Sequence, residues 1–125
     1  MSFCTAINCM DGRTQLPVFQ FLQRRFDADY VDMITEPGPN LILATRTSEP
    51  QVRSILDRLA VSVHQHHSRK IAVVGHHGCA GNPADKAEQI KHLAAAVEFL
   101  RQRYAGLDVI ALWLDESWRV TEIEA

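Results

Sequence analysis

Lys70-Ile71-Ala72-Val73-Val74-Gly75-His76-His77-Gly78-Cys79-Ala80-Gly81 is the stretch whose reading decides the fold. Its first half is an apolar, β-branched run, as expected of a central parallel strand covered on both faces. Its second half is a glycine-rich loop carrying two imidazoles and a thiol. A similar junction stands near the N-terminus, where Phe3 to Asn8 leads into Cys9-Met10-Asp11-Gly12-Arg13. In an open parallel sheet, loops at the carboxyl ends of the strands face one crevice, and ligands bind there. If the two strands are neighbours, Cys9, His76 and Cys79 meet in space. Two thiolates and an imidazole, with no fixed fourth ligand, make the donor count of an open zinc site.

Outward from these junctions the chain alternates strand and helix patterns. In the first strand Phe3, Thr5 and Ile7 share one face, and Cys4, Ala6 and Asn8 the other. Leu16 to Phe26 has Leu16, Phe19, Leu22 and Phe26 at helical spacing, with Pro17 tolerable in a first turn. Tyr30 to Ile34 reads as a second strand, running into the turn-forming Glu36-Pro37-Gly38-Pro39-Asn40. Leu41 to Ala44 is apolar but too short to assign. Ser48, as N-cap, and Pro50 open a long helix whose stripe is Val52, Ile55, Leu56, Leu59 and Val63. After the third strand, Asn82 or Asp85 caps a helix striped by Ala87, Ile90, Leu93, Ala94, Val97, Leu100 and Tyr104. Gly106 ends it. Asp108 to Leu114 is a fourth strand, and Trp118 to Ile123 returns as a hairpin strand.

The expected fold is α/β: a mostly parallel sheet of order 2-1-3-4, a C-terminal antiparallel hairpin strand, and helices on both faces. A chain of 125 residues is expected to form one domain, 1–125, burying roughly 65 to 70% of its unfolded surface. The net charge of −2 argues against non-specific nucleic-acid binding, which needs clustered Lys and Arg. No apolar run approaches the ~20 residues of a membrane span. The N-terminus has no basic segment followed by an apolar one, so a secretory signal is not expected. Three cysteines are an odd number, and they point to a reducing, cytoplasmic setting.

Cys-x-Asp-x-Arg after the first strand and His-x-x-Cys after the third resemble the zinc motifs of the β-class carbonic anhydrases. The likeness extends over nearly the whole chain in element order. It implies zinc as cofactor, with Cys9, His76 and Cys79 as ligands and Asp11 with Arg13 as the catalytic dyad beside the open position. It implies carbon dioxide and bicarbonate as substrates; charge and hydropathy lead to the expectation of no nucleic-acid or membrane partner, and a domain this small is expected to be a homo-oligomer, a dimer or higher, that completes its pocket at a subunit interface. Gly12 departs from the pattern, which usually has Ser there. The helices that precede the first strand in the family have no counterpart before residue 2 or 3.

The chemistry also follows from the residues. Zinc-bound water ionises to a hydroxide nucleophile at neutral pH if a coordination position stays open. Asp11, two residues beyond Cys9, can reach the metal, and Arg13 can grip its carboxylate bidentately and hold it back. Cys79, near the start of the following helix, would gain acidity from the helix dipole and the metal. Two other classes compete. A cysteine-nucleophile phosphatase or sulfurtransferase would want an Arg about six positions after the Cys; Lys86 follows Cys79 instead, and Arg13 lies only four beyond Cys9. A non-catalytic zinc module would take Asp11 as a fourth ligand. Carbonyl sulfide and carbon disulfide are alternative substrates for the same nucleophile. His77 reads as a surface or supporting residue and Cys4 as packing. His64, His66 and His67 read as a helix-end cluster, and Trp113 and Trp118 as core or subunit-contact aromatics.

Overall fold

The computed structural model describes all of residues 1–125. Its elements, in chain order, are β1 Phe3–Cys9, α1 Gly12–Phe26, β2 Tyr30–Glu36, α2 Pro39–Thr45, α3 Glu49–Gln65, β3 Lys70–His76, α4 Lys86–Arg103, β4 Asp108–Leu114 and β5 Val120–Ile123. The sheet order is β2-β1-β3-β4-β5. The first four strands run parallel, and β5 pairs antiparallel with β4. This is the expected architecture.

Two apolar layers sandwich the sheet. Ile7, Ile34, Ile71 and Val73 meet α2, α3 and α4 through Leu43, Ile55, Leu59, Leu93 and Val97. Cys4, Ala6, Ala72 and Val74 meet α1 through Val18, Leu22 and Phe26. The alternation read along β1 therefore assigns Ile7 to one layer and Cys4 and Ala6 to the other. Each wholly buried aliphatic side chain contributes about 1.5–3 kcal/mol over its exposed state, so both layers are needed.

Register opens the crevice. β1 pairs with β2 as far as Cys9↔Glu36, and β3 with β4 as far as His76↔Leu114. Between β1 and β3, pairing stops at Ile7↔Val73. The two central strands diverge beyond that pair, and their last residues, Cys9 and His76, face each other across the gap. That is where the strand order reverses, the usual ligand position in such sheets.

Several local expectations change. α1 begins at Gly12, because Asp11 caps it by accepting the Arg13 backbone N–H. The earlier start places Pro17 inside the helix and rotates the buried stripe to Thr14, Val18, Leu22 and Phe26. Leu16 is consequently exposed and Phe19 only half-buried. Leu41 to Ala44 belongs to α2, which starts where Gly38 turns left-handed (φ 63°) and Pro39 supplies a helical φ. Ser48 precedes α3 without making a side-chain cap bond. Asp85, not Asn82, caps α4, accepting from the Glu88 N–H at 2.9 Å. In α4 the buried residues are Gln89, Leu93, Ala96, Val97 and Leu100, while Ala87 and Ala94 face solvent.

Candidate metal centre

Cys9 ends β1 and His76 ends β3, so the sheet itself sets their separation. Cys79 lies three residues on, in the loop before α4. The three ligand atoms lie within 4.8 Å of one another, and all three residues are buried. The two sulfurs are 3.8 Å apart and form no disulfide.

The donor chemistry of this cluster suits a metal cation. His76 Nδ1 lies 2.8 Å from the His77 carbonyl oxygen, which makes Nδ1 the protonated nitrogen. Nε2 is then the lone-pair nitrogen, and it is buried with no hydrogen-bond partner. Such an orphan costs about 1–3 kcal/mol unless something binds it. The arrangement is the one in which metal-bound imidazoles are held by their other nitrogen.

The sulfurs are prepared as well. Peptide N–H groups of Gly38 and Asp11 favour the thiolate at Cys9, and those of Gly81 and Asn82 favour it at Cys79. The Cys79 hydrogen bond is the largest influence lowering the Cys9 pKa, and the same bond raises that of Cys79. The pair thus gives up one proton readily and keeps the second between the sulfurs, a property of the pair rather than of either thiol. Burial opposes charge on His76, but the Cys9 sulfur and the His77 carbonyl outweigh it and raise the imidazole pKa.

The donors for Cys79 come from its own loop. α4 begins only at Lys86, so the helix dipole expected to act on Cys79 is too far along the chain to do so. Two glycines allow the approach of this loop to the one after β2. A Cβ on Gly81 would collide with the Pro37 carbonyl group, and one on Gly38 would lie 2.7 Å from the Gly81 carbonyl carbon. Gly12, by contrast, is open to a side chain, and its backbone is not left-handed.

Asp11 and Arg13 stand at the mouth of the crevice. Arg13 Nε and Nη2 donate to the two carboxylate oxygens at 3.1 and 2.7 Å, a bidentate pair. The grip holds the Asp11 carboxyl down at about 2. Thr14 Oγ1 and Gln15 Nε2 donate to the Asp11 carbonyl at 2.7 and 3.1 Å and tie this loop to the first turn of α1.

Trp118 completes the surround. Its ring lies 4.4 Å beneath the Arg13 guanidinium carbon and 5.9 Å from the His76 ring centroid. Its backbone is left-handed (φ 62°), unusual for a bulky residue. Asp115 holds that turn, its carboxylate accepting from Ser117 and Arg119 N–H groups at 2.8 and 3.0 Å.

The family described as "Putative carbonic anhydrase" matches residues 1–124. The chain belongs to this carbonic anhydrase family. No curated protein matches it. Among solved structures, the carbonic anhydrase of Streptococcus mutans is similar over 97% of this chain and 81% of its own, at 16% identity and a TM-score of 0.61. A tetrameric β-carbonic anhydrase of Sordaria macrospora covers 99% and 81%, at 12% identity and a TM-score of 0.59. A carbon disulfide hydrolase covers 94% and 76%, also at 12% and 0.59. At these identities the likeness is one of fold.

Within this family fold the remaining sequence candidates separate cleanly. The His77 side chain is exposed, and the residue supports His76 through its carbonyl. Cys4 is wholly buried beneath α1, where burial first and Asp32 second push its thiol up to about 11. His64, His66 and His67 lie at the C-terminal end of α3, remote from the crevice along the sheet. Trp113 is buried in β4. Trp118 does more than fill a core: it is the platform beneath Arg13. The sequence signal for that role was faint, one tryptophan in a turn after Asp115. Gln89 and Asn40 are buried polar residues behind His76 that carry no sequence signal, because Gln89 stands among the charged Lys86, Glu88 and Lys91 and Asn40 closes a Pro- and Gly-rich turn.

Proposed function

We propose that the chain is a zinc-dependent carbonic anhydrase-like enzyme that reversibly hydrates carbon dioxide to bicarbonate. The observation that supports it most is the convergence of Cys9, His76 and Cys79 within 4.8 Å beside an Arg-held carboxylate. Zinc is the metal this soft donor set suits, and when bound it makes a nucleophile available from water near neutral pH. Cys9 and Cys79 would hold it as thiolates and His76 through Nε2. Arg13, steadied on Trp118, holds the Asp11 carboxylate, which would keep it off the metal and leave a coordination position free for water. From there Asp11 would accept a hydrogen bond from the attacking water oxygen and orient it toward the substrate carbon. Arg13 and Asp11 together add no net charge at the mouth, which suits a small, uncharged, linear substrate.

Zinc analysis and stopped-flow carbon dioxide hydration of the purified chain test this reading. It expects about one zinc per chain and hydration that chelation abolishes. Zinc without hydration would favour the non-catalytic module, in which Asp11 closes the site as a fourth ligand. The bidentate grip of Arg13 on Asp11 weighs against that closure. Carbonyl sulfide or carbon disulfide hydrolysis is the second reading, favoured by the fold likeness to a carbon disulfide hydrolase. We further infer a homo-oligomer. Met10 and Leu16, 61% and 60% exposed, present apolar surface beside the dyad, and one fold relative is tetrameric. Three free thiols fit a reducing cytoplasm, and no helix is long and apolar enough to cross a membrane.

A further inference from the structure

The loop that carries Cys79 lacks the usual means of support. No hydrogen bond between main-chain groups involves residues 78–84; the nearest are His77 N–H to the Leu114 carbonyl and Gln89 N–H to the Asp85 carbonyl. A loop this sparsely bonded should open readily, yet it must present a thiolate at a fixed distance from His76.

What holds it is one side chain from α4. Gln89 is wholly buried. Its Nε2 donates toward the carbonyl oxygens of His76, Asn82 and Ala84, at 2.9, 3.2 and 3.2 Å. Those three carbonyls bracket the loop from the imidazole ligand to the residue before the α4 cap. Gln89 Oε1 accepts from Asn40 Nδ2 at 3.1 Å. Asn40 Oδ1 in turn accepts from Asn82 Nδ2 at 3.2 Å and from the Leu41 N–H at 3.0 Å. Asn82 Nδ2 also lies 3.0 Å from His92 Nδ1. Two of the three amides press directly on β3: a Cβ on Gly75 would sit 2.8 Å from Asn40 Nδ2 and 3.1 Å from Gln89 Oε1.

We infer that Gln89, backed by Asn40 and Asn82, is the positioning residue of the metal site: it fixes the Cys79 loop against His76 so that the ligands are arranged before metal arrives. This rests on the metal-site reading above. By holding the Asn82 carbonyl, Gln89 orients the turn that follows Cys79. None of the three amides is itself among the converging ligands. Partners of this supporting kind change metal affinity about 10–100-fold when removed.

The test compares Gln89→Met, which keeps the volume and loses the donors, with Thr5→Val, which breaks a buried hydroxyl contact at the other end of the sheet. In the full-length zinc-loaded protein, Gln89→Met should release zinc about 10–100-fold faster than wild type, while Thr5→Val releases it at the wild-type rate. In the metal-free protein, hydrogen exchange of the Gly81 and Asn82 amides, which face the Cys79 sulfur, should speed up in Gln89→Met and stay unchanged in Thr5→Val. A folded Gln89→Met with wild-type zinc release and wild-type exchange overturns the proposal. Equal acceleration of release by Thr5→Val also overturns it, since general destabilisation would then explain both. If Gln89→Met does not fold, Asn82→Ala decides; it cuts the links to Asn40 and His92, keeps the Gln89 side chain, and should shift both readouts in the same direction by less. Wild-type values for Asn82→Ala then overturn the proposal. If the wild-type chain binds no zinc, the functional reading fails, and the exchange measurement alone still decides the role of Gln89.

Discussion

The two ends of the sheet both bury polar side chains, and they do so in opposite ways. At the amino end, Thr5 Oγ1 lies 2.6 Å from Ser62 Oγ and donates to Ser68 Oγ at 2.7 Å. Ser62 donates to Asp32 at 2.7 Å, and Asp32 meets His66 Nδ1 at 2.6 Å beneath the stacked Phe3 ring. The hydroxyl, carboxylate and imidazole groups of that cluster are satisfied by one another and, at Ser68, by the Lys70 carbonyl, so it braces α3 against β1 and β2. A cavity of about 610 Å³ opens nearby, lined by Phe3, Phe26, His66 and Lys70 among others. At the carboxyl end the cluster is smaller and unfinished: His76 Nε2 has no partner, and four peptide N–H groups favour charge on two sulfurs. A buried polar group satisfied by its neighbours is architecture, whereas one left open toward other donors marks a ligand's place. Cavity size picks out the amino end; hydrogen-bond accounting picks out the carboxyl end.

The sharpest way to break this contrast is to exchange single donors between the ends. His76→Ala or Cys79→Ser should remove essentially all zinc, whereas Ser62→Ala should keep one zinc per chain by elemental analysis. Full zinc in either ligand variant would erase the distinction between the two clusters.

The mouth of the unfinished cluster comes next. Asp11→Asn should retain zinc and lose about a hundredfold in carbon dioxide hydration, the scale of a lost supporting partner. Arg13→Ala should release Asp11 onto the metal and abolish hydration. A crystal structure of that variant with Asp11 still turned away would refute the mechanism.

Two thiolates formally cancel the charge of a divalent ion, whereas three neutral imidazoles leave it intact. Water activation should therefore be weaker than at a three-histidine centre, with hydration rising through the alkaline range in steady-state rates from about pH 6 to 9. The dyad does not set that slope. Arg13 depresses the Asp11 carboxyl to about 2, so its contribution is fully present above the unfolded value of 3.8 and is lost only as pH falls through about 2. A plateau already reached at pH 6.5 would mean that the donor set is not Cys9, His76 and Cys79.

The smallest effect belongs to the third cysteine. Cys4→Ser should leave zinc content unchanged and cost about 1–3 kcal/mol in denaturant unfolding, through a buried hydroxyl. With its thiol pushed up to about 11, Cys4 should also resist alkylation at pH 8 in the folded, metal-free protein while the crevice pair reacts. Labelling of Cys4 at the rate of that pair would undo its assignment to the closed interior.

Much of this was legible in the residues alone. The β-branched run at Ile71 to Val74 demanded a strand covered on both faces, and the alternation in β1 assigned Ile7 and Cys4 to opposite layers. Cys9, Asp11, Arg13, His76 and Cys79 announced themselves because donor-rich loops after two apolar strands share one crevice in a parallel sheet. Those are properties of strand period and local order, which short-range sequence encodes. Tertiary structure alone decided the rest. The start of α1 at Gly12 depended on Asp11 serving as a cap, which shifted the buried stripe from Leu16 and Phe19 to Thr14 and Val18. The peptide N–H groups of Gly81 and Asn82 that partly offset the raised Cys79 pKa are set by the close approach of their loop to Pro37 and Gly38, and no spacing in the chain reports it. Asn40 and Trp118 lie far from the motifs in sequence, Gln89 lies a helix turn or more beyond the Cys79 loop, and each looked like an ordinary polar or aromatic residue. Hydrogen bonds and stacking between residues distant along the chain have no periodic signature; only folding brings Gln89 of α4 beneath His76 of β3, and Trp118 beneath Arg13.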